Sequence, residues 1–237
     1  MLDRRFALLP LALFAFACTE SVESEDIRTS GIYPEIEVVA TGNGKSKVTV
    51  ALKTGGSNSN TFLVLTGEDT LEVTVDGDTK EMDKSGNDYV ASFNTDAAGT
   101  EFIIALMRGD EDDSAPASTV TLPEPFEMSI DLPEGVEELS RENDDVAYSW
   151  DPPADSGNLG WHYDGECVQV DSGNTPDDGS NAIGAGDIGT FDSDKDKTCT
   201  VDLELSRSAK GSLDEAFTEG GSIVAKHVRS ASFTSAP

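Results

Sequence analysis

Ser46–Lys53 reads SKVTVALK, and its alternation decides the fold. Val48, Val50 and Leu52 fall two apart, while Lys47, Thr49 and Lys53 occupy the positions between. Successive side chains of a strand point to opposite faces, so the stretch predicts a half-buried strand with one wet face. The same pattern extends outward. Ile36–Thr41 precedes it across Asn43-Gly44, and Leu71–Val75 is followed by Thr79–Met82 across Asp76-Gly77. Asn-Gly and Asp-Gly supply the positive φ angles that tight hairpins need. In YVASF, Tyr89, Ala91 and Phe93 share a face; Thr61–Leu65, Glu101–Arg108 and Ser118–Leu122 complete the set. About seven or eight short strands in this span make the pattern of a β-sandwich, predicted over 32–122.

LPEPF interrupts it. Pro123 and Pro125 lack the N–H that a ladder requires, so Leu122–Phe126 reads as a joint between domains. Beyond it, FEMSIDL, DVAYSW, WHYDGECVQV, CTVDLELS and SIVAKHVRSASF read as strands of a second sandwich over 126–237. Ser212–Phe217, SLDEAF, is the one helical candidate, with Ser212 as N-cap and Glu215 three residues on. Asp171–Lys197 is rich in Gly and Asp and is expected as a long surface loop with one strand near Ala182–Ile188. No repeat is visible at the level of residues.

The N-terminus carries a different signal. Arg4 and Arg5 precede an apolar run from Phe6 to Ala17, too short for the roughly 20 residues that span a bilayer as a helix. A basic start, a short apolar run and small residues describe an export signal over 1–17. Ala15, Phe16 and Ala17 lead into Cys18, which resembles the lipobox of bacterial lipoproteins. That resemblance implies that Cys18 is acylated on sulfur and amine and becomes the first residue of the mature chain. Each buried CH₂ contributes about 0.8 kcal/mol, so two or three acyl chains anchor stably where one does not. The alternative for these residues is an ordinary cleaved signal, with Cys18 free or paired. Thr19, in place of an Asp, implies the outer membrane by the same resemblance. Residues 18–31, with Glu20, Glu23, Glu25 and Asp26, are expected to form an acidic, disordered tether. With Cys18 given to lipid, Cys167 and Cys199 remain as a pair in an oxidising compartment. A disulfide between them closes a loop worth roughly 3–4 kcal/mol; the rival metal-thiolate reading lacks nearby histidines.

DDVAYSWDPPADSGN resembles the second strand and following turn of a fibronectin type III domain, in which a tryptophan, here Trp150, packs into the core ahead of a Pro-Pro turn, here Pro152 and Pro153. A true immunoglobulin domain instead wants Cys, then Trp, then Cys. TDAAGTEFIIALMR, STVTLPEPF and GGSIVAKHVRSASFTSAP resemble stretches of uncharacterised Gram-negative lipoproteins, a likeness that brings a layout and no activity. The expected fold is all-β: two immunoglobulin-like or fibronectin type III-like sandwiches in tandem behind a signal peptide and short tether.

The chain of 237 residues carries 46 Asp and Glu against 16 Lys and Arg, a net charge of −30. That charge opposes nucleic acid, itself an anion. Partners are expected to be the membrane, through the lipid, and an envelope protein or a glycan; no cofactor is implied. Of the two histidines, His162 has Asp164 nearby but lacks the other parts of a relay, and His227 reads as a surface residue on the last strand. No catalytic residue is assigned. Asp192, Asp194 and Asp196 stand at positions 1, 3 and 5 of a calcium loop, but Lys197 occupies the glycine position and Leu203 the closing-glutamate position. Trp161 and Tyr163 share a strand face, as core aromatics or as a surface for a sugar or a partner. The function expected is therefore a non-enzymatic binding or structural module of the envelope. The alternatives are a hydrolase using surface carboxylates or a calcium-dependent adhesion module.

Overall fold

A strand with one apolar face must bury that face against a second layer, and the alternating segments do so twice. The computed structural model describes residues 20–133, 135–154 and 156–237; Cys18 and the leader lie outside the described residues. In the first unit, β2 (Ile32–Ala40), β3 (Ser46–Thr54), β8 (Asp88–Phe93) and β7 (Asp83–Ser85) form one layer in that order. The facing layer runs β10 (Ala115–Thr121), β9 (Glu101–Met107), β5 (Thr70–Val75) and β6 (Asp78–Glu81). Val48, Val50 and Leu52 are buried between the layers, as their spacing predicts. Asp76 and Gly77 both hold positive φ at the β5–β6 turn, the conformation that makes Asp-Gly the preferred pair there.

In the second unit, β11 (Glu127–Ile130), β13 (Val146–Asp151) and β16 (Ser180–Ile183) form one layer. They face β15 (Asp171–Pro176), β14 (Asn158–Gly165), β17 (Cys199–Lys210) and β18 (Ser222–Ala236), with β12 (Glu138–Ser140) parallel to the end of β18. Each unit thus uses one design. In the first, β2 and β3 pair in one layer with β8 while β5 and β6 join β9 and β10 in the other; in the second, β11 and β13 pair with β16 while β14 and β15 join β17 and β18. This is the layout of an immunoglobulin-like or fibronectin type III-like sandwich. The repeat that residues do not show is present as topology. Trp150 sits on β13 and is buried in the second core.

Three expectations are corrected. First, Asp171–Lys197 supplies two strands, β15 and β16, in opposite layers. Second, among the described residues there is no α-helix. One isolated helical turn fixes several dihedrals for a single hydrogen bond, and Ser212 instead forms a two-way backbone bridge with Thr119. Third, residues 20–31 are folded. β1 (Glu20–Glu23) pairs in parallel with β4 (Thr61–Val64), which abuts the end of β3. The buried Arg108 guanidinium donates to the carbonyls of Ser24 and Ile27 and is ion-paired to Asp69 at 2.9 Å. A charged donor that satisfies those carbonyls gives this segment partners that its composition does not reveal.

The last hairpin departs most from expectation. β17 and β18 pair without a break from Cys199↔Ser235 to Lys210↔Val224. Their inner half buries Val201, Leu203, Leu205 and Phe233 in the second core. Their outer half crosses the joint, and Ser222–His227 pairs in parallel with Glu35–Ala40 of β2. Phe217, Ile223 and Ala225 are buried in the first core, with Leu213 packed against it. Residues expected to belong wholly to 126–237 thus complete the sandwich over 32–122. The hairpin covers open edges of both layers of the first unit, β18 against β2 and Ser212 against β10. Exposed edge strands otherwise invite pairing with other chains.

Candidate functional site

β14 turns Trp161 and Tyr163 inward and His162 outward. Tyr163 is buried in the second core, whereas Trp161 is half-buried at its margin. The two rings stack at 5.9 Å with planes 8° apart. Trp161 also lies over Gly173 of β15, where a Cβ would come within 2.6 Å of the indole. Glycine at 173 is what allows the ring to lie flat across the sheet. From the facing layer, β13 contributes Tyr148, whose hydroxyl accepts from Asn181 Nδ2 at 3.1 Å. Where the edges of β15 and β16 part, these rings floor a cleft of about 290 Å³. Asp171, Asn181 and Asp187 form its polar wall, and among the described residues no Lys or Arg lines it. Burial pushes the Tyr163 phenol up, and the carboxylates of Asp171 and Asp187 push it the same way. Tyr163 thus belongs to the second core, and the half-buried Trp161 packs against it at the cleft.

The remaining candidates fall elsewhere. His162 and Asp164 lie on the outward face of β14, in register with Glu204 and Asp202 of β17. Asp194 accepts an ion pair from Lys197 at 2.5 Å, and Asp192 and Asp196 face solvent. The carbonyls of Lys195 and Lys197 accept from the Arg141 guanidinium, at 3.1 and 2.7 Å. Arg141 is buried and also donates to Ser235. The aspartate loop therefore folds around an internal side-chain cation. Among the described residues no three His, Cys, Asp or Glu side chains are grouped to hold a metal ion. Cys167 and Cys199 are disulfide-bonded, which ties the start of β17 to the turn after β14.

Sequence reasoning missed the seam between the sandwiches. Asp177 receives Arg207 Nε at 2.6 Å, Trp150 Nε1 at 2.7 Å and the Ala154 N–H at 3.2 Å. Burial alone would raise the Asp177 carboxyl, but Arg207, Trp150 and Ala154 outweigh it and hold it below its usual range. Arg207 also donates to the carbonyls of Glu124 and Pro125 and lies over the Phe126 ring, so the joint is pinned to β17. Arg229 lies over the same ring, 5.7 Å from its centre. His227 is not on the surface. It is fully buried at this seam, opposite Arg207 on β17 and Ala40 on β2, and neither ring nitrogen has a hydrogen-bond partner among the described residues. Burial, then Arg229 and Arg207, lower its pKa against the opposing pull of Asp96 and Glu124.

No protein-family model and no curated relative matches the chain. Among solved structures, the Yersinia pseudotuberculosis adhesin InvE is similar at 10% identity and a TM-score of 0.24, over 87% of this chain and 59% of that one. CBD12 from CALX1.2 is similar at 10% identity and a TM-score of 0.20, over 84% of this chain and 99% of that one. The chain thus spans less than two thirds of the InvE chain. At such scores neither likeness carries an argument, and the architecture rests on the strand pairing itself.

Proposed function

We propose that the protein is a non-enzymatic binding module of the bacterial envelope, held at the outer membrane by acyl chains on Cys18 and engaging an envelope protein or glycan through its second sandwich. The observation that carries this reading is the continuous sheet β1-β4-β3-β2-β18-β17-β14-β15. The strand that follows the proposed anchor is at one edge, and the Trp161 cleft opens at the other. At about 4.8 Å per strand step, the two edges are on the order of 30 Å apart. The joint between the units is bridged by backbone pairing and held by Arg207, which donates to the carbonyls of Glu124 and Pro125. Such a body acts as a stiff spacer that presents the cleft away from the bilayer.

Two measurements test it together. Mass analysis of the mature chain is expected to find fatty acids on Cys18. A photo-crosslinking residue at Ala182, on the cleft rim, is expected to capture a discrete envelope component in intact cells, and one at Ser92, on the first sandwich, is not. A mature terminus without fatty acid would remove the anchor, and equal capture from both positions would remove the cleft as the binding face.

A further inference from the structure

We propose that the Trp161 cleft takes a protonated amine, the side-chain ammonium of a lysine carried by a partner chain. The inference rests on the reading above that this cleft is the binding face. The lining is rich in acceptors and poor in donors. Asp171 and Asp187 present carboxylate oxygens, and Asn181 spends one of its two amide N–H donors on Tyr148, which leaves its carbonyl oxygen and one N–H. The donors left are the second Asn181 N–H, the Trp161 indole N–H and the Tyr148 hydroxyl proton, against at least five acceptor oxygens on Asp171, Asp187 and Asn181. A saccharide hydroxyl both gives and accepts hydrogen bonds, whereas an ammonium only gives them, three at a time. Its charge matches the two carboxylates, and the face of the half-buried Trp161 attracts a cation through its ring quadrupole.

Size and field agree. About 290 Å³ suits one side chain rather than an extended polymer. Among the described residues no Lys or Arg lines the cleft to compete for the carboxylates, and the chain's net charge of −30 favours the approach of a cationic partner. The four-carbon stem of lysine is apolar enough to lie along Ile183 and the Trp161 ring while its head reaches the acids.

The test uses the full exported chain in detergent and follows the indole N–H resonance of Trp161, assigned by its loss in Trp161→Phe. Butylammonium is expected to shift that resonance at millimolar concentration. Butanol, its neutral counterpart, should require roughly tenfold more. Raising the salt should weaken the ammonium response several-fold and leave the alcohol response unchanged. Asp171→Asn with Asp187→Asn should abolish the preference for the ammonium while melting temperature and circular dichroism stay as in the parent. Equal responses to amine and alcohol would show an apolar slot and overturn the proposal. A response to N-acetylglucosamine but not to the amine would make the cleft a glycan site, and no response to any probe would leave it without this ligand. If the Ala182 crosslink persists in the doubly neutralised variant, the binding role stands and the assignment of an ammonium falls.

Discussion

His227 shows how far a single residue can depart from its sequence neighbourhood. Lys226 and Arg229 flank it and suggest a surface position. Yet Ile223, Ala225 and His227 are spaced by two, and the first two face a core. The strand period therefore held the right answer, and the local charge obscured it. What no pattern reveals is that the ring meets Arg207 and Arg229 at a seam where a third cation is unwelcome. The consequence for stability has a definite sign. The folded-state pKa is lowered, so the unfolded chain binds the proton more readily. Stability is complete above the unfolded value of about 6.5 and falls as the pH drops below it, by at most about 2 kcal/mol at pH 5. Urea midpoints at pH 7 and pH 5 should differ in the parent, and His227→Leu should reduce that difference. A variant that loses as much between the two pH values as the parent would mean that other groups carry the limb.

At the scale of elements, most strands of the first sandwich were legible because each carries its own period and its own turn. β3 spans Ser46–Thr54 where the alternation places Ser46–Lys53, and β9 spans Glu101–Met107 where it places Glu101–Arg108. β15 and β16 were not legible. DSGNTP and SNAI contain one large apolar residue between them, Ile183, so no alternation marks them. They are strands because their neighbours offer backbone partners. The hairpin β17–β18 was legible as two strands but not in its reach, since length alone does not say which sheet edge a strand will cover. Its crossing is fixed by a close approach at Gly211, where a Cβ would lie 2.1 Å from the Thr119 carbonyl oxygen and 2.9 Å from the Val120 Cα. Both obstacles are backbone, so relief requires the hairpin to lift from β10. Gly211→Ala is expected to cost about 2 kcal/mol, or roughly 4–8 °C in melting temperature for a chain of this size. Gly31→Ala is the control, because its Cβ would rest at an ordinary 3.6 Å from Ile27. Equal melting temperatures for the two variants would mean that the crossing is not tightly packed.

For the whole molecule, the shared hairpin changes what counts as a folding unit. Composition, turns and prolines divide the chain at Leu122–Phe126, and two separate cores do lie on either side. The division is nonetheless incomplete, because the first core takes Phe217 and Ile223 from beyond it and rests on Leu213. Fully burying a large apolar side chain is worth about 1.5–3 kcal/mol, so Phe217 and Ile223 together contribute on the order of 3–6 kcal/mol. Domains of this size have a total stability of about 5–15 kcal/mol. A fragment ending at Leu122 therefore loses much of its margin and also bares the length of β2 that β18 covers. It is expected to lack a cooperative thermal transition and to associate through that edge. The complementary fragment from Phe126 keeps its own core but exposes Phe217 and Ile223 on an unsupported hairpin tip, and should aggregate unless those two are made polar. The intact chain should melt in one calorimetric transition whose van't Hoff and calorimetric enthalpies agree. Two resolved transitions, or a fragment 20–122 that melts as sharply as the parent, would show that the sandwiches fold independently. The hairpin would then be a surface contact, and the stiff spacer on which the binding role depends would give way to a hinge at Leu122–Phe126.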